Sequence, residues 1–381
     1  MSCDLFIFAG EKSGDLHGEN LLKNLKALTP SLKCVGVGGP LMRAQGLECI
    51  LPMEEFQVMG FVDVFLSLPK LIRQFYFVAK QILEINPKAV VFIDYPGFNL
   101  RMAKHLRKKG FTGKLCHFIC PSVWAWGKKN IPLMAKNLDL LLCILPFEKT
   151  YFKDTSLHVE YVGNPLTQRL KEYPYQDLEI PKAKKVIAIF PGSRTKELKR
   201  NLPIYIQVCK ELRKMDESIY FAISISDEKF RETILKMGSD EGFTFDRCVP
   251  SKRSYDLMKS AYAAISKSGT VTLELALHHT PTVVTYGISL LDLIIARDIL
   301  RIRLPFYCLV NIIAGREVFK ELFGPNFTKE ALLNQLIPLI QETPKRDQCK
   351  DLCSTINQIL QDKNASLRAA QFILETLSPM K

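Results

Sequence analysis

The stretch Ala263-Ala-Ile-Ser-Lys-Ser-Gly-Thr-Val-Thr-Leu-Glu-Leu-Ala-Leu277 decides how the chain is read. Ala261 to Ile265 is an apolar run with the length of a buried strand, and it breaks at Ser266-Lys-Ser-Gly269. Val271, Leu273, Leu275, Ala276 and Leu277 then continue as a helix predicted to end near His279, just before Pro281. Strand, small polar turn and helix in that order leave backbone N–H groups free at the helix start, where the macrodipole favours an anion. Ser268, Gly269 and Thr270 are small enough to let a phosphate approach the backbone, and Glu274, one turn on, is placed to accept hydrogen bonds from ribose hydroxyls. An ordinary turn with Thr270 as N-cap would carry the same residues, and a lone glycine is less specific than a full glycine-rich fingerprint. The surrounding chain has to decide between them.

Working outward, the same alternation recurs on both sides. Downstream of a stretch rich in Tyr, Pro, Asp and Lys at 172–185, read as a linker, apolar runs fall at Val186–Phe190, Tyr220–Ile225, Phe243–Val249, Thr282–Tyr286 and Tyr307–Val310. Upstream they fall at Leu5–Ala9, Cys34–Val37, Ala89–Ile93, Leu115–Ile119, Leu138–Leu145 and Val159–Val162, with helical spacing between most of them. Strands alternating with helices imply parallel sheets whose functional groups gather at the carboxyl ends of the strands. The fold class expected is α/β, with two doubly wound domains facing each other across a cleft. The first covers 1–171, the second 186–345, and helices over 346–381 cross back to the first domain.

Composition narrows the function classes. Hydrophobic residues make up 47% and charged residues 24% of the 381, enough for two cores. The start, Met1 to Gly10, has no basic leader, and no stretch reaches the roughly 18 uncharged apolar residues of a membrane span, so a cytoplasmic location is expected. Eleven cysteines are scattered through apolar runs without a C-x-x-C pair, and are read as buried reduced thiols rather than metal ligands or disulfides. Fifty-two Lys and Arg against thirty-nine Asp and Glu give a net charge of +13. The basic residues are dispersed and lack a nucleic-acid-binding signature, so phosphate or anionic lipid is the expected partner.

Two further segments carry chemistry. In Phe190-Pro-Gly-Ser-Arg-Thr-Lys-Glu197, Gly192 permits a tight turn, Ser193 is a candidate helix cap, and Arg194 offers a donor fork for phosphate oxygens, with a surface ion pair as the alternative. In Leu309-Val-Asn-Ile-Ile-Ala-Gly-Arg-Glu317, Asn311 and Arg316 are polar residues in an apolar segment near an expected strand end. His278 and His279 are read as closing a helix C-terminus, where a cation is favoured. No Asp-x-Asp pair occurs, so the divalent-ion clamp common in metal-dependent sugar-nucleotide transferases is not expected.

Together with Gly10-Glu-Lys-Ser-Gly-Asp15, Asp94-Tyr-Pro-Gly-Phe-Asn99, Pro121-Ser-Val-Trp-Ala-Trp126 and Leu145-Pro-Phe-Glu148, these segments give a chain that resembles the lipid-A-disaccharide synthase family along nearly its whole length. The resemblance implies an inverting, metal-independent glycosyltransferase of GT-B type with Rossmann-like domains and no cofactor. It implies transfer of 2,3-diacylglucosamine from its UDP derivative to 2,3-diacylglucosamine 1-phosphate. Carried over by motif, Asp94 is the expected general base. Arg194, Ser268, Gly269, Thr270, Glu274, Asn311 and Arg316 match the UDP-sugar site, and Glu11, Ser13, Gly14 and Asp15 match an N-terminal glycine loop serving the acceptor. Asn164 stands where the family commonly has His, and Leu309-Val310 where Leu-Pro commonly precedes the Asn. The chemistry agrees: an inverting transfer needs a base for the attacking hydroxyl and positive charge for the departing diphosphate.

Diacylated substrates also give a reason for the crowded apolar residues between Met53 and Leu68. Met59, Phe61, Val64, Phe65 and Leu66 are the expected acyl-chain or membrane contact, flanked by Lys70 and Arg73, with Leu290 to Leu304 a second candidate. Apolar stripes of this kind also serve as core. The partners implied are the two lipid substrates and the anionic surface of the inner membrane, with peripheral attachment there and no nucleic acid; a homodimer is allowed.

Overall fold

The structure, a computed structural model, describes residues 3–56, 61–181, 184–288, 304–361 and 363–377, with the side chains of 61–67 and of Trp126 outside that description. It divides into two compact units, Met1–Gln168 with Asp362–Lys381, and Arg169–Gln361.

The first unit is built on seven strands: β1 (Leu5–Ala9), β2 (Cys34–Gly38), β3 (Glu48–Pro52), β4 (Ala89–Ile93), β5 (Lys114–Phe118), β6 (Leu140–Cys143) and β7 (His158–Tyr161). All pair in parallel in the order β3-β2-β1-β4-β5-β6-β7. The helices are α1 (Lys12–Leu28), α2 (Pro40–Ala44), α3 (Phe61–Ile85), α4 (Pro96–Lys108), α5 (Ile131–Asn137) and α6 (Pro165–Glu172), the last of which carries the chain into the second unit. Because both faces are covered, the central strands β1 and β4 are apolar at every position and wholly buried. β3 escapes the sequence reading for the opposite reason. It is an edge strand, Glu-Cys-Ile-Leu-Pro, with exposed ends and no fully buried residue.

The second unit repeats the wiring with six strands: β8 (Lys185–Phe190), β9 (Ile219–Ile225), β10 (Arg247–Pro250), β11 (Ala263–Lys267), β12 (Thr282–Tyr286) and β13 (Lys320–Phe323), in the order β10-β9-β8-β11-β12-β13. Its helices are α7 (Thr195–Met215), α8 (Arg231–Asp240), α9 (Ser254–Ser260), α10 (Thr270–Leu277), α11 (Leu309–Ala314), α12 (Lys329–Ile340) and α13 (Pro344–Leu360). The expected strand over Tyr307–Val310 is absent. Leu309 and Val310 instead open α11, and the edge strand is β13. A short apolar run does not distinguish a buried helical turn from a strand.

The expected return of the last helices holds for α14 (Ala365–Leu377), whereas α13 stays with the second unit. Ala365, Ala369, Ala370 and Ile373 of α14 are fully buried in the first unit's core, against α1. The alanines let the two helices approach closely, and burying Ile373 contributes about 1.5–3 kcal/mol. The described part of the linker is fastened to the second unit by Asp256, which accepts from Gln176 N at 2.9 Å and from Arg253 Nε at 2.8 Å. Among the described residues no helix is long and apolar enough to cross a membrane.

In each sheet the strand order reverses once, between β1 and β4 and between β8 and β11. Ligands of such sheets bind beyond the carboxyl ends of the strands at these switch points.

Candidate functional site

At the first switch point, β4 ends in Asp94 and Tyr95, both left-handed with φ of 52° and 44°. Two such residues in succession are strained, at about 1 kcal/mol or more each, and need fastening. Asp94 N donates to Phe118 O at 3.0 Å, and the buried Asn99 donates from Nδ2 to Asp94 O at 2.6 Å. Pro96 then opens α4, whose N-cap is Tyr95 without a side-chain cap. Asp94 therefore does not cap this helix; its Oδ2 accepts the Ser13 hydroxyl at 2.9 Å.

Ser13 stands in the first turn of α1, which follows β1 on the other side of the same switch point. Glu11, at the N-cap of α1, has its carboxyl lifted above the ordinary range by desolvation and by the charge of Asp94. Gly14 is buried where a Cβ would come 3.2 Å from that of Ala9, which lets α1 start tight against the strands. Asp15 sits behind the loop. Its buried carboxylate accepts from Gly39, Leu41 and Met42 N at 2.8, 3.1 and 3.0 Å, capping α2. It braces the site rather than opening onto it. Sequence reasoning missed His117 on β5, fully buried, with neither ring nitrogen hydrogen-bonded and its pKa lowered to about 4 by burial, which outweighs the opposing charge of Asp94.

At the second switch point, the turns after β8 and β11 wall a cavity of about 140 Å³ lined by Gly192, Ser193, Ser226, Lys267, Gly269 and Thr270, among others. Ser266 and Lys267, read as turn residues, are the last two of β11. Ser268 N donates to Thr285 O at 2.9 Å, which turns the chain into α10 at Thr270. The N-cap is Gly269, not Thr270, and no atom lies within 4 Å of where its Cβ would be. The start of the helix is open to an approaching group. The Ser268 hydroxyl donates away from the cavity to Tyr307 O at 3.3 Å.

The first turn is held by a residue the sequence reading did not single out. Ser193 caps nothing; its N–H donates to Glu197 Oε2 at 2.9 Å, while Glu197 Oε1 lies 3.1 Å from Lys267 Nζ and 3.6 Å from Arg194 Nη1. Gly192, at φ 119°, is required here because a Cβ would sit 2.5 Å from Glu197 Oε2. Arg194 itself is largely exposed.

Glu274 is half-buried, and burial raises its pKa, opposed by the Tyr255 hydroxyl at 3.2 Å and the charge of Arg169. Burial, then Glu274, raises the Tyr255 pKa in turn to about 12. Asn311 is fully buried on α11. Its Oδ1 accepts from Val318 and Phe319 N at 2.8 and 2.9 Å, and its Nδ2 donates to Phe319 O and Glu321 Oε1 at 2.7 Å each. All four of its hydrogen-bonding capacities are engaged by β13 and its approach. Arg316 is exposed just past the left-handed Gly315.

His278 does close α10 as its C-cap, but not as a cation. Its Nδ1 lies 2.7 Å from Glu274 O, its Nε2 lies 3.0 Å from the Tyr175 hydroxyl, and burial lowers its pKa. Asn164 is buried, bonds Ile144 O and Leu166 N, and caps the entry to α6. The fold also gathers the buried Cys120, Cys143 and Glu148, with potential ligand atoms within 4.8 Å of one another, which no sequence spacing announced. Met59 lies outside the described residues, as does the second membrane candidate up to residue 303, and of Phe61, Val64, Phe65 and Leu66 only the helical backbone is described. Further along α3, Leu68, Ile72, Tyr76 and Phe77 are exposed.

Among solved structures, UDP-GlcNAc 2-epimerase from Neisseria meningitidis superposes with a TM-score of 0.61 at 11% identity, covering 98% of this chain and 99% of that one. The calicheamicin glycosyltransferase gives 0.60 at 13%, covering 99% of each. At such identities the likeness concerns the fold. In sequence, the lipid-A-disaccharide synthase of Chlamydia trachomatis serovar D is 40% identical over 363 residues, 93% of this chain and 60% of that protein, so this chain spans about three fifths of its length. That of Azotobacter vinelandii is 33% identical over 375 residues, 97% of each chain. The family profile described as lipid-A-disaccharide synthetase matches residues 5–375, and the chain belongs to that family.

Proposed function

We propose that the protein transfers 2,3-diacylglucosamine from UDP-2,3-diacylglucosamine to the 6-hydroxyl of 2,3-diacylglucosamine 1-phosphate, giving the β-1,6 disaccharide 1-phosphate and UDP. The observation that carries this reading is the small cavity at the β8/β11 switch point, walled by the Gly192-Ser193 and Gly269-Thr270 turns at the open start of a helix. In the reaction the acceptor oxygen attacks the anomeric carbon as the bond to the diphosphate breaks. The acceptor proton passes to Asp94, and UDP leaves with the bonding electrons. Ser13 orients the Asp94 carboxylate by the hydrogen bond it donates. Arg194 and the α10 N-terminus meet the leaving charge, and Glu274 receives ribose hydroxyls with the oxygen that Tyr255 leaves free.

Mass spectrometry of products from the purified protein, both substrates and EDTA tests the reading. Disaccharide 1-phosphate plus UDP is expected; UDP without disaccharide, or no turnover from folded protein, would overturn it.

The enzyme works as a cytoplasmic protein attached peripherally to the inner membrane. In support, α3 exposes Leu68, Ile72, Tyr76 and Phe77 near Lys70 and Arg73, continuing the apolar residues Phe61 to Leu66. Ile72→Asp with Tyr76→Asp, and separately Phe61→Asp with Phe65→Asp, should lower partition onto anionic liposomes about tenfold. Unchanged partition with intact folding sinks the attachment.

A further inference from the structure

We propose that Lys267 is a fixed cation of the diphosphate site, held by Glu197 so that its ammonium bridges Glu197 and a phosphate oxygen of the sugar nucleotide. The inference rests on reading the β8/β11 cavity as the diphosphate site, and adds to it a residue that this reading does not require.

Four observations converge. Lys267 closes β11 and lines the cavity beside Ser268 and Gly269. Its side chain is 20% exposed, against 81% for Arg194, so its charge is placed before any ligand arrives. Two contacts fix it: Glu197 Oε1 at 3.1 Å, and the Tyr286 ring, whose centroid lies 5.3 Å from Nζ. The same wall carries the Ser226 hydroxyl, whose oxygen is buried without a hydrogen-bond partner, as expected of a group awaiting a ligand.

An ammonium has three donors, and one on Glu197 leaves two for a phosphate. The nearby carboxylate need not repel the diphosphate, because its oxygens are already met by the Ser193 N–H, Lys267 and Arg194. Glu197 stays ionised in this setting: burial pushes its carboxyl up, but the Ser193 N–H and the Lys267 charge outweigh it and leave it below the usual range. Glu197 is then a positioning residue. It carries the lysine at the cavity wall and, through Ser193, ties the β8 turn to the β11 turn.

The test is calorimetric binding of UDP and of uridine to the full chain. Lys267→Ala and Lys267→Met should weaken UDP about tenfold or more while uridine binding stays within about twofold, because only the diphosphate contact is removed. Lys267→Arg should return UDP affinity to within about threefold of the parent. UDP affinity unchanged in Lys267→Ala overturns the inference and leaves the cavity reading standing. Equal loss of UDP and uridine binding in both variants assigns the lysine to the scaffold, which also overturns it. A parent protein that binds no UDP removes the cavity reading itself.

Discussion

The two switch points share wiring and differ in charge. Each lies at the carboxyl ends of the first and fourth strands of its own unit, β1 and β4 in one, β8 and β11 in the other. The first gathers acceptors, with Asp94 on a left-handed backbone, Glu11 beside it and the Ser13 hydroxyl aimed at the carboxylate. The second gathers donors and a cation, with Lys267, open N–H groups of α10 and the Ser226 hydroxyl around one small cavity and the exposed Arg194 beside Glu197. One topology thus serves two opposite electrostatic tasks. The sheet decides where a ligand meets the protein; the few side chains after each strand decide what it can do there.

The largest effect should come from breaking the first site alone. Asp94→Asn keeps the shape and removes the proposed base, so turnover should fall by about 10²- to 10⁴-fold with UDP affinity unchanged. A matching loss of UDP affinity would merge the two sites into one. Asp15→Ala should destabilise by about 3 kcal/mol in urea unfolding, since three backbone donors lose a buried charged acceptor, while the folded fraction keeps its turnover. A stable but inactive variant would move Asp15 from brace to site.

Glu148 sharpens the contrast within the first unit, because burial lifts its pKa to about 8, opposed by the Leu145 N–H. Between its unfolded value near 4.5 and about 8, the native state keeps a proton that the unfolded state has lost. This contribution is therefore fully present below the unfolded value and is lost as pH rises, at up to about 1.4 kcal/mol per pH unit. His117, depressed to about 4 by burial, acts with the opposite sign, but its contribution is complete above the ordinary histidine value. Urea unfolding from pH 6.5 to 8 should show stability falling in the parent and a flatter profile in Glu148→Gln. The smallest effect belongs to Ser13→Ala, which should slow turnover about tenfold or less and leave UDP affinity unchanged, because it removes one neutral donor to Asp94.

Much of this was legible before any coordinates. Central strands such as β1 and β4 are wholly apolar because parallel sheets are covered on both faces, and the residues that interrupt them, Asp94, Gly192 and Ser268-Gly269, therefore stand at strand ends. Edge strands lack that signal, so β3 passed unnoticed and the run at Leu309-Val310 was read as a strand although it opens α11.

By itself, then, the sequence determined the class of fold, the strand-end turns that line the candidate sites and the family. These are properties of local pattern: period, turn chemistry and motif, each set by residues near one another along the chain. Tertiary structure alone decided which polar groups are already engaged. Asp15 is held by residues 24 to 27 positions away, Asn311 by β13, and Lys267 by a glutamate on α7 some seventy positions upstream in sequence. A side chain's availability depends on partners brought together by folding, because a buried polar group takes whatever donor or acceptor the packing offers.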